Sequence, residues 1–360
     1  MITGHGGNIY ELAKKNGCLP DEIIDMSSNL NPMGPPPGLL TFLQQNISVI
    51  KALPDAGATF IIEKFEAAHS LEKGHVLAGH GTTEFIYSIT KALQIKNALI
   101  LGPTYSDYKD SCLQNKSHFD YLMAEDLNGF SHHPDQIADH VKNKDMVFIC
   151  NPNNPTGTFI PAQSLHRICE AHPDTIFVID ESYLPFIPED RDFSMIQTRL
   201  KNVIVLTSMS KIYSIPGLRT GFLKASPEII HRCRKLQVPW NVNSLAQVAV
   251  DYILSHKQEL EDFLRKTRQL IRIEQDHFIS QFQGISALSC MPSKVPYILI
   301  RLNNELTAPM VCASLAKDNI LIRDCSNFDG LTNKYIRVAL KKRSVNQILA
   351  DKLIQLVNKA

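Results

Sequence analysis

From His75 onward the chain alternates short apolar runs with longer amphipathic stretches. Runs at His75–Ala78, Ala98–Leu101, Phe119–Met123, Met146–Cys150, Ile176–Ile179, Val203–Thr207 and Thr220–Lys224 predict strands. Helical spacing between them predicts helices over Thr83–Leu93, Ser106–Gln114, Pro134–His140 and Pro161–His172. Short strands that are apolar on both faces and separated by helices indicate a mostly parallel sheet covered on both sides. Before this region the pattern predicts helices at Ile9–Asn16, Leu39–Ile47 and Ala58–Ser70; after it, at Pro227–Leu236 and Ser244–Leu254. A long helix over His256–Phe282 carries Leu260, Phe263, Leu264, Ile271, Phe278 and Phe282 as a core-facing stripe. Beyond Gly284 a smaller α/β pattern follows, with strands at Tyr297–Leu302, Ile320–Arg323 and Tyr335–Leu340 and helices at Pro309–Lys317 and Ser344–Val357. The division expected is an N-terminal segment at 1–40, a large domain at 41–255, and a connecting helix with a small domain at 256–360.

The polar punctuation sits where a parallel sheet places its functional loops, outside the carboxyl ends of the strands. Gly79–Glu84 reads GHGTTE, Asn151–Gly157 reads NPNNPTG, Asp180–Tyr183 reads DESY, and Thr207–Gly221 reads TSMSKIYSIPGLRTG. Gly81, Thr82 and Thr83 open a helix, so they either present free N–H groups and hydroxyls to an anion or simply cap it. Asp180 ends a hydrophobic run, where a carboxylate needs a partner: a protonated ring nitrogen or backbone amides. Lys211 either forms a Schiff base with a carbonyl cofactor or belongs to a solvated loop that happens to be cationic; the first reading organises its neighbours. That one assignment gives the others roles: phosphate contacts for Thr82, Ser208 and Arg219, a ring nitrogen for Asp180, and a ring-face neighbour in Tyr105. The N-terminal pieces Gly4–Asn8 (GHGGN) and Ser27–Pro37 (SSNLNPMGPPP) read either as ordered loops around an anion or as a polar tail.

Composition narrows the field. A net charge of +1 gives no global field for nucleic acid, and 44% apolar with 20% charged residues is ordinary for a soluble globular chain. The eight cysteines are scattered, form no CxxC pair and lie partly within apolar runs, which fits reduced, buried thiols. No signal-type or membrane-spanning stretch stands out, so a cytoplasmic location is expected. Neither a P-loop, a G-x-G-x-x-G fingerprint, an HExxH cluster nor a GxSxG elbow is present, and no metal is expected.

NPNNPTG, then Asp180 with Tyr183, then S-x-S-K followed by GLRTG, in that order, resemble the pyridoxal-phosphate enzymes of fold type I, class I/II aminotransferase group. The resemblance spans nearly the whole chain. It implies a mostly parallel seven-stranded sheet in a large domain beside a smaller α/β domain. It makes Lys211 the lysine bonded to pyridoxal 5'-phosphate and Asp180 the partner of its pyridine nitrogen. Asn154 and Tyr183 would touch the ring oxygen. Gly81, Thr82, Thr83, Ser208, Ser210 and Arg219 would form the phosphate cup, and Tyr105 would stack on the ring.

Within that group GHGGN, SSNLNPMGPP, LIRDCSNFDGL and YIRVALK look most like the threonine-phosphate decarboxylases of cobalamin biosynthesis, with histidinol-phosphate aminotransferases next. This likeness implies decarboxylation of L-threonine O-3-phosphate to (R)-1-aminopropan-2-ol O-phosphate, with L-serine O-phosphate as a variant substrate giving ethanolamine phosphate. His5, Gly6, Gly7 and Asn8 would enclose the substrate phosphate, Asn31 would close over the site, Arg323 would hold phosphate, and Arg337 would receive the α-carboxylate. A homodimer with active sites at the interface is expected, and no nucleic-acid or membrane partner. Two departures stand out. Leu53 occupies the place of a tyrosine that usually reaches the neighbouring subunit's cofactor phosphate, and His80 the place of a small polar residue. The competing readings are a histidinol-phosphate aminotransferase and a non-catalytic protein that keeps the fold for binding or regulation.

Overall fold

The computed structural model describes residues 6–188 and 190–358, the side chains of 190 and 191 excepted. In chain order its strands are β1 (Ile24–Asp25), β2 (Val76–Gly79), β3 (Asn97–Gly102), β4 (His118–Met123), β5 (Met146–Cys150), β6 (Ile176–Asp180) and β7 (Val203–Ser208). Then come β8 (Gly221–Lys224), β9 (Leu288–Cys290), β10 (Tyr297–Leu302), β11 (Ile320–Leu321), β12 (Arg323–Asp324) and β13 (Tyr335–Ala339). A seven-stranded sheet has the order β2-β8-β7-β6-β5-β3-β4. Only β8 in this sheet runs antiparallel to its neighbours, so β2 points the same way as β7.

The period of two along these strands assigns each residue a face. Leu99, Leu101, Val147, Ile149, Phe177, Ile179, Val203 and Val205 pack in one core, against helices that include Thr59–Ala68, Ala162–Ala171 and Ser244–Ser255. Ala98, Ile100, Met146, Phe148, Cys150, Val178, Ile204 and Leu206 pack in the other, against helices Thr82–Ala92, Asp107–Gln114 and Pro227–Arg234. Burying each large apolar side chain contributes about 1.5–3 kcal/mol, so the doubly covered sheet is a stiff platform for the loops at its ends. The parity carries one residue further. Asp180 falls on the second face with Tyr108, and Glu181 on the first.

Past the long helix Lys257–Ser280, an antiparallel sheet of order β12-β13-β10-β9 forms. Its core joins Ile298, Ile300, Ile336 and Val338 to Phe278 and to Leu349 and Leu353 of the closing helix Arg343–Val357. The predicted single strand Ile320–Arg323 divides: β11 pairs parallel with β1, whereas β12 pairs antiparallel with β13. Pairing of β1 beside β11 is invisible in the pattern because two residues carry no periodicity; the neighbouring strand alone makes them a strand. The consequence for the site is direct. Arg323 lies opposite Arg337 in the β12–β13 register. Among the described residues no helix is long and apolar enough to cross a membrane.

Candidate active site

A cavity of ≈ 380 Å³ opens where the carboxyl ends of β2, β5, β6 and β7 face the β12–β13 edge and residues 27–30. Because β8 is antiparallel, Arg219, just before it, reaches the same end. Among the described residues the wall carries four cations, Lys211, Arg219, Arg323 and Arg337, against the single carboxylate of Asp180. Such a lining attracts ligands with several negative charges.

One end of the cavity is a cradle for an anion. Helix Thr82–Ala92 starts there with Gly81 as its N-cap, and no side chain caps its free N–H groups. Gly81 has φ of 80°, and a Cβ there would meet Arg219 Nη2 at 2.9 Å. A Cβ on Gly221 would meet the Thr82 backbone nitrogen at 2.9 Å, so Gly221 is required by close approach and Gly81 by its backbone conformation. Arg219 itself has φ of 54° and donates from Nη1 to the Pro216 carbonyl at 3.2 Å, while its Nη2 lies against Gly81. Ser208 Oγ accepts from the Ser210 N–H at 3.3 Å, and Thr82 Oγ1 lies 3.5 Å from Ser182 Oγ.

The middle of the cavity holds Lys211 and Asp180. Burial pushes the Lys211 amine down to about 8, helped by the charges of Arg337 and Arg219 and opposed by Asp180 and Asp25. An amine so placed is still mostly protonated near neutral pH, but its neutral fraction, able to add to an aldehyde, is far larger than that of an ordinary lysine. Asp180 is 5% exposed; Oδ1 accepts from Ser182 N–H at 3.0 Å and Ser182 Oγ at 2.5 Å, and Oδ2 from Tyr108 O–H at 2.9 Å. These donors are neutral, and burial still raises the Asp180 carboxyl above its ordinary range. A protonated ring nitrogen is the positive partner that would offset this. Tyr105 borders the same space, edge-on to Tyr108 with centroids 5.8 Å apart.

The far end is built for a second anion, or two. Arg337 is 4% exposed; it donates from Nη2 to the Ser27 carbonyl at 2.6 Å and from Nη1 to Asn154 Oδ1. Its Nε, like Asn29 Oδ1, is buried without a protein partner, and both residues line the cavity. Asn29 Nδ2 donates to Tyr183 O–H at 3.2 Å, and burial raises that phenol to about 12, so it keeps its proton. Arg323 donates from Nη2 to Asn327 Oδ1 at 2.7 Å and sits 4.9 Å from the Phe328 ring centroid. Two facing guanidinium groups repel unless an anion joins them.

The structure thus brings together Gly6, Gly7, Gly81, Thr82, Thr83, Tyr105, Asn154, Asp180, Tyr183, Ser208, Ser210, Lys211, Arg219, Arg323 and Arg337. It does not bring Asn8 or Asn31 to the wall. Asn8 is exposed and caps helix Ile9–Asn16 through Glu11. Asn31 lies behind the lysine turn: its side chain donates to the Ile212 carbonyl and Thr267 Oγ1, and its N–H to the Lys211 carbonyl at 3.1 Å. His5 falls outside the described residues. Leu53 is 75% exposed, and His80 is exposed with its N–H on Glu84. Sequence reasoning missed Ser27, Asn29, Tyr108 and Ser182. For Tyr108 a signal exists: it follows Tyr105 by three residues at a helix start, a spacing that brings two side chains to neighbouring positions.

Residues 22–353 match the family model described as aminotransferase class I and II. The chain is 32% identical over 355 residues to the adenosylcobalamin biosynthesis bifunctional protein CobDQ of Leptospira interrogans, an alignment covering 97% of this chain and 40% of that protein. It is 30% identical to the threonine-phosphate decarboxylase of Salmonella typhimurium, covering 96% of this chain and 94% of that one. A histidinol-phosphate aminotransferase of Methanococcus aeolicus is 25% identical, covering 98% and 95%. Among solved structures, the L-threonine-O-3-phosphate decarboxylase from Porphyromonas gingivalis superposes with a TM-score of 0.83 at 27% identity, covering 93% of this chain and 100% of that one.

Proposed function

We propose that this chain, which belongs to the aminotransferase class I and II family, is a pyridoxal-phosphate-dependent decarboxylase of L-threonine O-3-phosphate. The observation that carries this is the Arg323–Arg337 pair, opposed across β12 and β13 and lining the same cavity as the Thr82–Arg219 cradle. One cradle suits the cofactor phosphate; the paired arginines suit a substrate with both a carboxylate and a phosphate. The likeness to threonine-phosphate decarboxylases supports the same choice.

Thr82, Thr83, Ser208, Ser210 and Arg219 hold the cofactor phosphate, Lys211 Nζ its aldehyde carbon, and Asp180 its ring nitrogen. When bound, pyridoxal 5'-phosphate supplies an electron sink for the pair released at the substrate Cα. Asp180 keeps the ring nitrogen protonated, and Tyr183 and Asn154 address the ring oxygen. Arg337 fixes the substrate carboxylate, and Arg323 with Gly6 and Gly7 surrounds its phosphate. Anchoring both ends of the substrate would determine which bond at Cα is presented for cleavage. The carboxylate would leave as carbon dioxide, and Lys211 Nζ or a water would supply the proton that Cα takes up. The product is (R)-1-aminopropan-2-ol O-phosphate, the amino-alcohol phosphate used in cobalamin synthesis. Serine phosphate differs by one methyl, worth only about 1–3 kcal/mol of discrimination, and is expected as a slower substrate.

The test is to follow carbon dioxide and product with threonine phosphate, and to look for conversion of the cofactor to its amine form with histidinol phosphate. Carbon dioxide release supports the decarboxylase. Stable conversion to the amine form without carbon dioxide would replace it with the aminotransferase reading. Binding of neither would return the chain to a non-catalytic role. A homodimer is part of this proposal. Ile47, Ile50, Leu53, Phe60 and Trp240 are about half to three-quarters exposed, and Trp240 N–H donates to the Ala56 carbonyl at 3.3 Å, which joins it to that surface. Sedimentation showing only monomer would overturn it.

A further inference from the structure

We propose that Tyr108 is a positioning residue for the cofactor, holding the Asp180 carboxylate ionised and aimed while its ring braces Tyr105. The inference rests on the pyridoxal-phosphate part of the reading above and is independent of the choice of substrate.

The two oxygens of Asp180 are held in different ways. Both donors to Oδ1 come from Ser182, two residues on, so they belong to the turn itself. The donor to Oδ2 is Tyr108 O–H, 72 residues away in sequence and on a different element. The local bonds fasten one oxygen; the tertiary bond then sets the plane of the carboxylate. Tyr108 has no freedom to follow a wandering partner. It is 0% exposed, stacked on Phe148 of β5 at 4.9 Å and 17°, with Tyr105 edge-on at 85°. One ring therefore connects a core residue of β5, the aromatic bordering the cavity and the carboxylate at the end of β6.

The direction of the proton follows from the surroundings. Burial and then the Asp180 charge raise the Tyr108 phenol well above 10, so it remains a donor. Burial likewise raises Asp180, and its bonds to Ser182 and Tyr108 oppose that rise. The other titratable groups around Asp180 are Cys150 of β5, Glu181 and Tyr183 in its own turn, Tyr297 of β10 and Lys211. Lys211 among these opposes the rise by its charge. Removing the phenol O–H leaves the carboxylate with local donors alone and favours its protonated form. The cofactor ring nitrogen then shares its proton less completely, and the electron sink weakens.

Tyr108→Phe tests this, because the phenyl ring keeps the Phe148 stack and the Tyr105 edge contact. We expect cofactor binding weakened about five- to tenfold and the pH titration of the visible absorbance of the lysine-bound cofactor moved upward by about half a unit to one unit. The 15N signal of ring-labelled cofactor should move toward that of unprotonated pyridine. A double-mutant cycle separates positioning from mere packing. In an Asp180→Asn background, where the charge is already gone, Y108F should change the ring-nitrogen signal little and binding less than about twofold. Equal effects in both backgrounds, or an unmoved 15N signal and titration in the single variant, overturn the proposal and leave the cofactor assignment standing. A wild-type protein that acquires no visible absorbance with pyridoxal 5'-phosphate overturns both.

Discussion

The two ends of the active-site cavity are built by different means. At the end proposed for the cofactor phosphate, Thr82, Thr83, Ser208, Ser210 and Arg219 sit within a few residues of a strand of the seven-stranded sheet. There a helix N-terminus offers the donors, and two glycines let neighbouring backbone and the Arg219 guanidinium come close. At the end proposed for the substrate, Ser27, Asn29, Arg323 and Arg337 come from parts of the chain about 300 residues apart and line the cavity together. The first end is a rigid receptacle that many chemistries can share. The second is an assembled clamp, where the proposed function puts substrate choice.

The largest effect should come from the residue between the two ends. Lys211→Ala is expected to abolish the visible absorbance of the bound cofactor and lower kcat by on the order of 10³-fold or more, measured in single turnover. The wild-type loading rate should rise about tenfold per pH unit until near pH 8 and then level, as the neutral amine becomes the dominant form. The same depression has a stability consequence with a definite sign. Between about 8 and the ordinary 10.5 the unfolded chain holds a proton that the native lysine has released. Stability of the unloaded protein therefore gains a favourable slope with rising pH in that window, absent from Lys211→Ala. A flat loading profile from pH 6 to 9 would break the assignment.

Arg337→Ala should reduce kcat/KM roughly 10²- to 10³-fold, because it removes a carboxylate anchor and strands Asn154 Oδ1 and the Ser27 carbonyl. Cofactor affinity should change less than about threefold. Arg337→Lys should recover little, since a lysine cannot donate in two directions from one plane. Equal losses of cofactor and substrate binding would show that the ends are coupled and the comparison misleading.

The same contrast explains which parts of the site are legible in the sequence. Each strand-end motif follows a recognisable apolar run: Asp180 directly ends Ile176–Ile179, and Ser208 directly ends Val203–Thr207. Strand parity then gives Asp180 a face, and the parallel sheet gives all the ends one side. Arg323 and Arg337 are assigned through family likeness alone, because their register across β12 and β13 depends on a strand that breaks after Leu321. In the run SSNLNP, Asn31 and Asn29 look equivalent. The loop turns Asn29 into the cavity and Asn31 onto Thr267 and the lysine turn. No local spacing distinguishes them, since the partners lie more than 150 residues away.

Arg219→Gln addresses the cofactor end alone. Loss of a charge-assisted phosphate contact should weaken pyridoxal 5'-phosphate about 10- to 100-fold. At saturating cofactor the substrate KM should stay within about twofold of wild type. Equilibrium dialysis gives the first quantity and steady-state kinetics the second. A raised KM at full loading would place Arg219 in both ends at once.

Ser27→Ala makes the finest cut, because it leaves every charged group in place. Ser27 Oγ accepts from Gly7 N–H at 2.7 Å and donates to Asp25 Oδ1 at 2.7 Å, so one hydroxyl ties the glycine segment to the turn after β1. A Cβ on Gly6 would meet the Ser27 carbonyl at 2.5 Å, and one on Gly7 would meet Ser28 Oγ at 2.6 Å; the segment is pressed against this turn. Losing the hydroxyl removes both hydrogen bonds, and the one that holds the Gly7 segment, worth about 1 kcal/mol, corresponds to about a fivefold rise in KM for the phosphorylated substrate. Because the Ser27 carbonyl still receives Arg337, kcat should change less than about twofold, and the absorbance of the bound cofactor should not move. If that absorbance moves, the N-terminal segment belongs to the cofactor receptacle as well. The clamp would then close on cofactor and substrate together, and recognition of the second phosphate could not be engineered without disturbing the first.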